Sequence, residues 1–199
     1  MHKLTTALAV MALAAAAPAA AKEASEPAAV VADFNASLLA TMKDGKALGL
    51  AGRTAKLLPL VKATHDMPAM TRLAAGPVWA ATPPAQQAAL TDAFTRHSVI
   101  AYAVNFASFD GQRFTVQPKV GTRGADALVH AAIVSKGSTT ALNYRLHQTD
   151  GGWRIVDVFA DGISQIAVQR AEFAATLKAG GAAALAAKLN AADDAKLRK

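Results

Sequence analysis

The strongest constraint in this sequence is a change of hydrophobic period at Gly111. Before it, apolar residues recur every three to four positions, as on one face of a helix. After it, segments 112–118, 126–135, 140–148 and 153–159 are rich in Val, Ile, Phe, Tyr, Thr and Trp, which read as strands. Between them lie Gly121–Gly124, Lys136-Gly137-Ser138 and Thr149-Asp150-Gly151-Gly152. Connections this short join antiparallel neighbours, because a parallel crossover needs a dozen residues or more. In the third segment Leu142, Tyr144 and Leu146 alternate with Asn143, Arg145 and His147, so one face is buried and the other wetter. The fourth is apolar on both faces except at Arg154 and Asp157, which predicts cover on both sides. Helices followed by four strands and then helices predict an α+β fold, with helices packed on a curved four-stranded antiparallel sheet.

The helical half begins with 25–43, where Val30, Val31, Phe34, Leu38, Leu39 and Met42 form one stripe. Glycines at 45, 49 and 52 loosen the chain before a helix over 53–64, expected to bend at Pro59. Asp66 is placed to cap a short helix that ends at Gly76-Pro77, and Thr82 to cap the longest one, running to Phe109. That longest helix carries two apolar stripes, one of Leu90, Phe94, Ala101 and Val104 and one of Val99, Tyr102, Phe106 and Phe109. A helix wet on one side needs only one stripe, so this one covers the sheet with one face and something greasy with the other. Past the strands, Ile163, Ile166, Phe173 and Leu177 form a last stripe. Gly180-Gly181 breaks it, and a charged, frayed tail is expected beyond Ala192.

Composition settles the membrane question. Hydrophobic residues make up 53% of the chain, but 51 of its 199 residues are alanine, and without them the fraction is about 27%. The one long apolar run, Leu4–Ala17, is shorter than the ~20 residues that span a bilayer. It follows the basic Met1-His2-Lys3 and precedes the small residues Pro18-Ala19-Ala20-Ala21, the three-part pattern of a cleaved signal peptide. Residues 1–21 are therefore expected to be a leader for export to the periplasm, and 22–199 a single domain. The net charge of +7 favours acidic partners. The absence of cysteine excludes disulfides, thiol catalysis and cysteine-held metals.

The run Tyr144-Arg-Leu-His-Gln-Thr-Asp-Gly-Gly-Trp153-Arg154-Ile155-Val156-Asp157-Val158 resembles the MlaC-type, or toluene-tolerance, family of periplasmic lipid carriers. So do Asp161-Gly162-Ile163-Ser164, Arg170-Ala-Glu-Phe173 and, upstream, Leu58-Pro59-Leu60-Val61, His65-Asp66, Gly76-Pro-Val-Trp79 and Thr82 through Tyr102. The wording of 161–173 with the doubled glycine at 180–181 is most similar to the hopanoid-biosynthesis-associated HpnM branch. The resemblance implies an NTF2-like cone with an apolar pocket. It also implies a monomeric shuttle for phospholipid or hopanoid-type lipid, moving between an outer-membrane lipoprotein and the lipid-capturing subunit of an inner-membrane ABC transporter. A diacyl lipid with about 30 methylenes loses roughly 24 kcal/mol on entering water, so a soluble carrier must enclose the tails. The candidate wall comprises Val99, Tyr102, Phe106 and Phe109, faced by Ile133, Leu142, Tyr144, Ile155 and Val158. Trp79 and Phe94 lie nearby, and Ile163, Ile166 and Phe173 come from the last helix. Ordinary core packing is the plainer reading of each taken singly.

Arg170 falls inside the last apolar stripe, where a buried guanidinium needs a partner such as Asp157 or Asp161. It is expected either to pin the last helix or to meet a lipid headgroup. Lys43, Lys46, Arg53, Lys56, Lys62, Lys119, Arg123 and Lys136 are candidates for docking acidic surfaces, with plain solvation as the default. Nothing interleaves basic and aromatic residues as a nucleic-acid platform would. Triad residue types occur at His65-Asp66 and Asp92…His97-Ser98, but without a Gly-x-Ser-x-Gly turn or a His-Glu-x-x-His helix. The alternative reading is thus a periplasmic enzyme on the same scaffold, using His65, Asp66 or His97 on a hydrophobic substrate. A third reading is an adaptor with a solid core. No cofactor or metal is expected.

Overall fold

The computed structural model describes residues 26–198, so the expected leader lies outside the described residues. Helix α1 (Pro27–Lys43) buries Val30, Val31, Phe34, Leu38 and Met42 on the predicted stripe. Helix α2 (Gly45–Thr64) starts earlier than its sequence suggests and breaks at Gly49 (φ 62°, ψ −178°) instead of at Pro59, which stays inside the helix. Proline removes one hydrogen bond from the ladder. The backbone at Gly49 leaves helical space altogether, in a region cheap only for glycine.

Helix α3 (Met67–Ala75) is capped as expected, the Asp66 carboxylate accepting from the Ala69 amide at 2.9 Å. A 3₁₀ helix (Gly76–Ala81) leads into α4 (Pro84–Asn105). Thr82 does not cap α4: its hydroxyl donates back to the Val78 carbonyl at 2.9 Å, and Pro83 takes the cap position. Helix α4 also stops four residues short of Phe109. Its end is held by Arg53, whose Nε donates to the Ala103 carbonyl (2.8 Å) and whose Nη1 donates to the Gly45 carbonyl (2.6 Å). Last-turn carbonyls have no partner within their helix, and a guanidinium satisfies them while matching the dipole. Arg53 is only 9% exposed, which removes it from the docking candidates.

The sheet has five strands, not four: β1 (Arg113–Arg123), β2 (Asp126–Ser135), β3 (Ser138–Thr149), β4 (Gly152–Ala160) and β5 (Ile163–Ser164), antiparallel and in chain order. The fifth exists because Asp161 (φ 47°) and Gly162 (φ 83°) fold the chain back onto β4. Val156 is an extra residue between the pairs Arg145–Asp157 and Leu146–Ile155, a bulge that curves the sheet. The α2–α3 joint covers part of β4's edge, with the Asp66 amide donating to the Ile155 carbonyl at 2.9 Å. As predicted for that strand, Ile155, Val156 and Asp157 are all buried.

Helix α5 (Gln165–Leu197) changes direction at Gly181 (φ 67°, ψ −163°) but runs on through the tail expected to fray. Charge holds it. Asp193 lies 2.9 Å from His97 Nδ1, and Asp194 pairs with Arg96 at 2.5 Å, both on α4.

Candidate functional site

Ser98, Ala101, Tyr102 and Asn105 of α4, with Phe106 at its C-cap, stand at helical spacing and so share one face. That face does not close against the sheet. It borders a cavity of about 200 Å³, completed by Leu142 and Tyr144 on β3, Val158 and Ala160 on β4, Gln165, Ile166 and Gln169 on α5, and Met70 on α3. Across the strands Tyr144 pairs with Val158 and Leu142 with Ala160, so the sheet supplies its wall as two cross-strand pairs. The alanines at 101 and 160 leave the space that larger side chains would fill. A second hollow of about 270 Å³, between α1 and α2, is wider open and includes Lys56 and the hydroxyls of Ser37 and Thr41.

Aromatic rings support the cavity from behind. Phe34, fully buried, meets His65, Tyr102 and Tyr144 edge-on, with centroids 4.9, 5.3 and 6.3 Å away. Phe106 stacks on Tyr102 and tilts against Phe114, each at 6.1 Å. Most polar atoms among these rings are tied down, though Asn35 Nδ2 is buried without a partner. Tyr144 donates to Asn35 Oδ1 at 2.8 Å. His65 Nε2 lies 3.1 Å from the Tyr102 hydroxyl, and its Nδ1 lies 2.9 Å from Thr64 Oγ1. Burial drives the His65 pKa down to about 3, so the imidazole is neutral. Burial also pushes both phenols well above their usual range, with Tyr144 and then Asp157 adding to the shift at Tyr102.

Of the residues the sequence nominated, Tyr102, Phe106, Leu142, Tyr144, Val158 and Ile166 line the cavity. The other eight lie elsewhere. Val99 and Ile155 are fully buried in the core. Phe94 and Phe173 pack at right angles to each other, centroids 5.9 Å apart, in a separate seam with Leu90 and Leu185. Trp79 and Ile133 are half-buried against the core. Phe109, beyond the end of α4, is 41% exposed beneath the Lys43 ammonium, and Ile163 is 61% exposed. The sequence reading missed Met70, on the short α3, and Ala101, which it placed on the other stripe, together with Ser98, Asn105, Ala160, Gln165 and Gln169, which are small or polar and so invisible to a search for apolar stripes. The spacing 98, 101, 102, 105, 106 was the available signal.

Arg170 is exposed and binds neither aspartate; its Nε and Nη2 donate to the Leu73 carbonyl at the end of α3, Nε at 2.8 Å. The stripe places it beside buried residues, but its long stem carries the guanidinium out to that carbonyl. Asp157 instead accepts from the Ser164 hydroxyl (2.6 Å) and the Ile166 amide (3.2 Å), fixing the start of α5 and with it a cavity residue. Lys56 pairs with Asp44 and Lys136 with Asp110 on the surface. The residues considered for catalysis have structural partners: His65 is sealed among rings, Asp66 caps α3, and His97 holds α5. Among the described residues no helix is long and apolar enough to cross a membrane, and no group of three acidic, His or Cys residues is placed to hold a metal.

A model of the MlaC protein family matches residues 32–191. Among solved structures, the fold is similar to that of the phospholipid-binding protein from Ralstonia solanacearum in complex with a phospholipid. The TM-score is 0.74 and the identity 26%, over 88% of this chain and 100% of that one. No curated protein matches this chain in sequence.

Proposed function

The chain belongs to the MlaC protein family, and we propose that it is a lipid carrier, holding hydrocarbon in the cavity between α4, β3, β4 and α5 and performing no chemistry on it. The observation that carries this reading is the face of α4 at Ser98–Phe106. A buried helix face normally interlocks with its neighbours, whereas this one borders an apolar hollow with polar side chains among its lining. The relative from Ralstonia solanacearum, alike over nearly all of this chain, holds a phospholipid.

The cargo on this reading is a phospholipid or a hopanoid-type lipid. The carrier works in the periplasm after removal of residues 1–21. It shuttles as a monomer between an outer-membrane lipoprotein and the lipid-capturing subunit of an inner-membrane ABC transporter. The leader-like N-terminus, the lack of cysteine and the resemblance of the motifs support these assignments. At about 200 Å³ the cavity is not much larger than one that holds a benzene-sized molecule, so a diacyl lipid enters only if the walls part. The backbone breaks at Gly49 and Gly181 divide α2 and α5 into segments able to move separately.

Native mass spectrometry of the exported protein, purified without detergent, tests the reading. Co-purified lipid at about one molecule per chain is expected. An empty protein that takes up no lipid from vesicles would overturn it, and turnover of a lipid ester would put an enzyme in its place.

A further inference from the structure

The helices use only one face of the sheet. On β2 and β3 the row turned toward them is buried: Ala127, Val129 and Ala131 with Leu142, Tyr144 and Leu146. The alternate residues point the other way, and none of them is buried, from Asp126 to Val134 on β2 and from Thr139 to His147 on β3. Among the described residues, then, no helix covers that face over these strands.

Register fixes what the open face carries. Gly121, Leu128 and Arg145 form one row across the strands, and Arg123, Asp126, His147 and Arg154 form the next. Arg113 stands opposite Val134 at the other end of β1. Four arginines thus share the face, at 113, 123, 145 and 154, and none of them forms an ion pair among the described residues. The two carboxylates in these rows are engaged elsewhere. Asp126 lies 2.8 Å from His147 Nδ1, and Asp157, opposite Arg145, is bonded to Ser164 and Ile166 at the start of α5. Arg145 stands at the centre, beside the exposed Leu128. Its Nε is enclosed without an acceptor, so the stem is packed in place and the terminal amino groups are the part left to meet a partner.

We propose that this open face docks an acidic protein surface, whose carboxylates meet Arg123, Arg145 and Arg154 around Leu128 as apolar anchor. A guanidinium is a rigid fork of donors that matches a carboxylate in pairs of bonds, and arginine around an apolar centre is a common make-up of protein interfaces. A second copy of this chain would set arginine against arginine. A bilayer would find little to take up, since Leu128 is only 36% exposed and Val134 and Phe159 are half-buried. The cavity is built on the sheet's other face, from Leu142 and Tyr144, so a partner docked here leaves it clear, and the inference stands apart from the carrier reading.

Titration of the exported protein with poly-L-glutamate, followed by NMR amide shifts, tests the chemistry. The shifts are expected to concentrate on Leu128, Arg145 and His147. Arg145→Gln should weaken binding about tenfold and Arg123→Gln severalfold, both with lipid loading unchanged, while Arg72→Gln on α3 has little effect. Arg123, exposed on β1, keeps the test open if Arg145→Gln does not fold. Photocrosslinking from Leu128→p-benzoylphenylalanine in the exporting cell should then trap a protein of acidic surface, and Arg123→Glu should abolish the adduct. An equal loss with Arg72→Gln, or shifts spread over the helices, would reduce the effect to net charge and overturn the proposal. So would binding of phosphatidylglycerol vesicles through the same arginines, a dimer whose contacts map to this face, or no adduct from position 128.

Discussion

The two halves of α4 show how one helix builds opposite interiors. Around Leu90 and Phe94 it meets Phe173 and Leu185 of α5 ring against ring, with no room left between them. Two to three turns later, at Ala101, Tyr102 and Phe106, it borders a hollow of about 200 Å³. Hydrophobicity does not separate these regions, since both are apolar. The difference is side-chain volume at the facing positions and the way polar atoms are satisfied. The solid seam interlocks large groups. The hollow pairs alanines with tyrosines whose hydroxyls are held by His65 and Asn35, so its walls stand without needing to touch.

If that contrast is right, Phe94→Ala has the largest effect. It should cost about 4 kcal/mol in chemical denaturation, as large-to-small changes in packed cores do, while lipid loading per folded molecule stays within about twofold. A comparable loss of loading would mean that the two regions are one.

Acid probes the other end. The folded pKa of His65, about 3, lies below the unfolded value of 6.5, so the unfolded chain binds the extra proton. The stability this histidine contributes is complete above pH 6.5 and is lost as pH falls toward 3, by about 1.4 kcal/mol per pH unit. Denaturation midpoints measured across that window should fall accordingly, and His65→Gln should flatten the slope. An unchanged slope would show that the hollow's aromatic frame is open to water.

Ala101→Phe sharpens the contrast by filling the space. Loading from vesicles should drop about tenfold, equivalent to ~1.4 kcal/mol, with the thermal midpoint little changed. The same substitution in a packed core would strain it by roughly 1–3 kcal/mol, so a large loss of stability here would argue against a hollow. Smallest is Arg170→Met. Losing surface hydrogen bonds to the Leu73 carbonyl should cost about 1 kcal/mol and leave loading intact; weakened loading would return this arginine to the headgroup role that its place in the stripe first suggested.

Much of the architecture is legible in the sequence. The change of period at Gly111 separated helices from sheet, and alternation in β3 assigned its buried face, because a strand's side chains point alternately whatever surrounds them. Errors fell where local signals compete with distant partners. By local signals Pro59 outranks Gly49 as a breaker, yet it is the backbone at Gly49 that lies outside helical space. The tail past Ala192 looked frayed because His97 and Arg96, its anchors, lie nearly a hundred residues away in sequence. β5 spans two residues, too few for any pattern to register.

By itself, then, the order of residues determined an α+β chain, its strand faces, its capped α3 and the need for something apolar against α4, since period and capping act over a few neighbouring positions. Which apolar residues interlock and which border empty space was decided only in three dimensions. A void depends on the summed volumes of α3, α4, α5, β3 and β4 where they converge, and on hydrogen bonds such as Tyr144 to Asn35 that join distant segments of the chain.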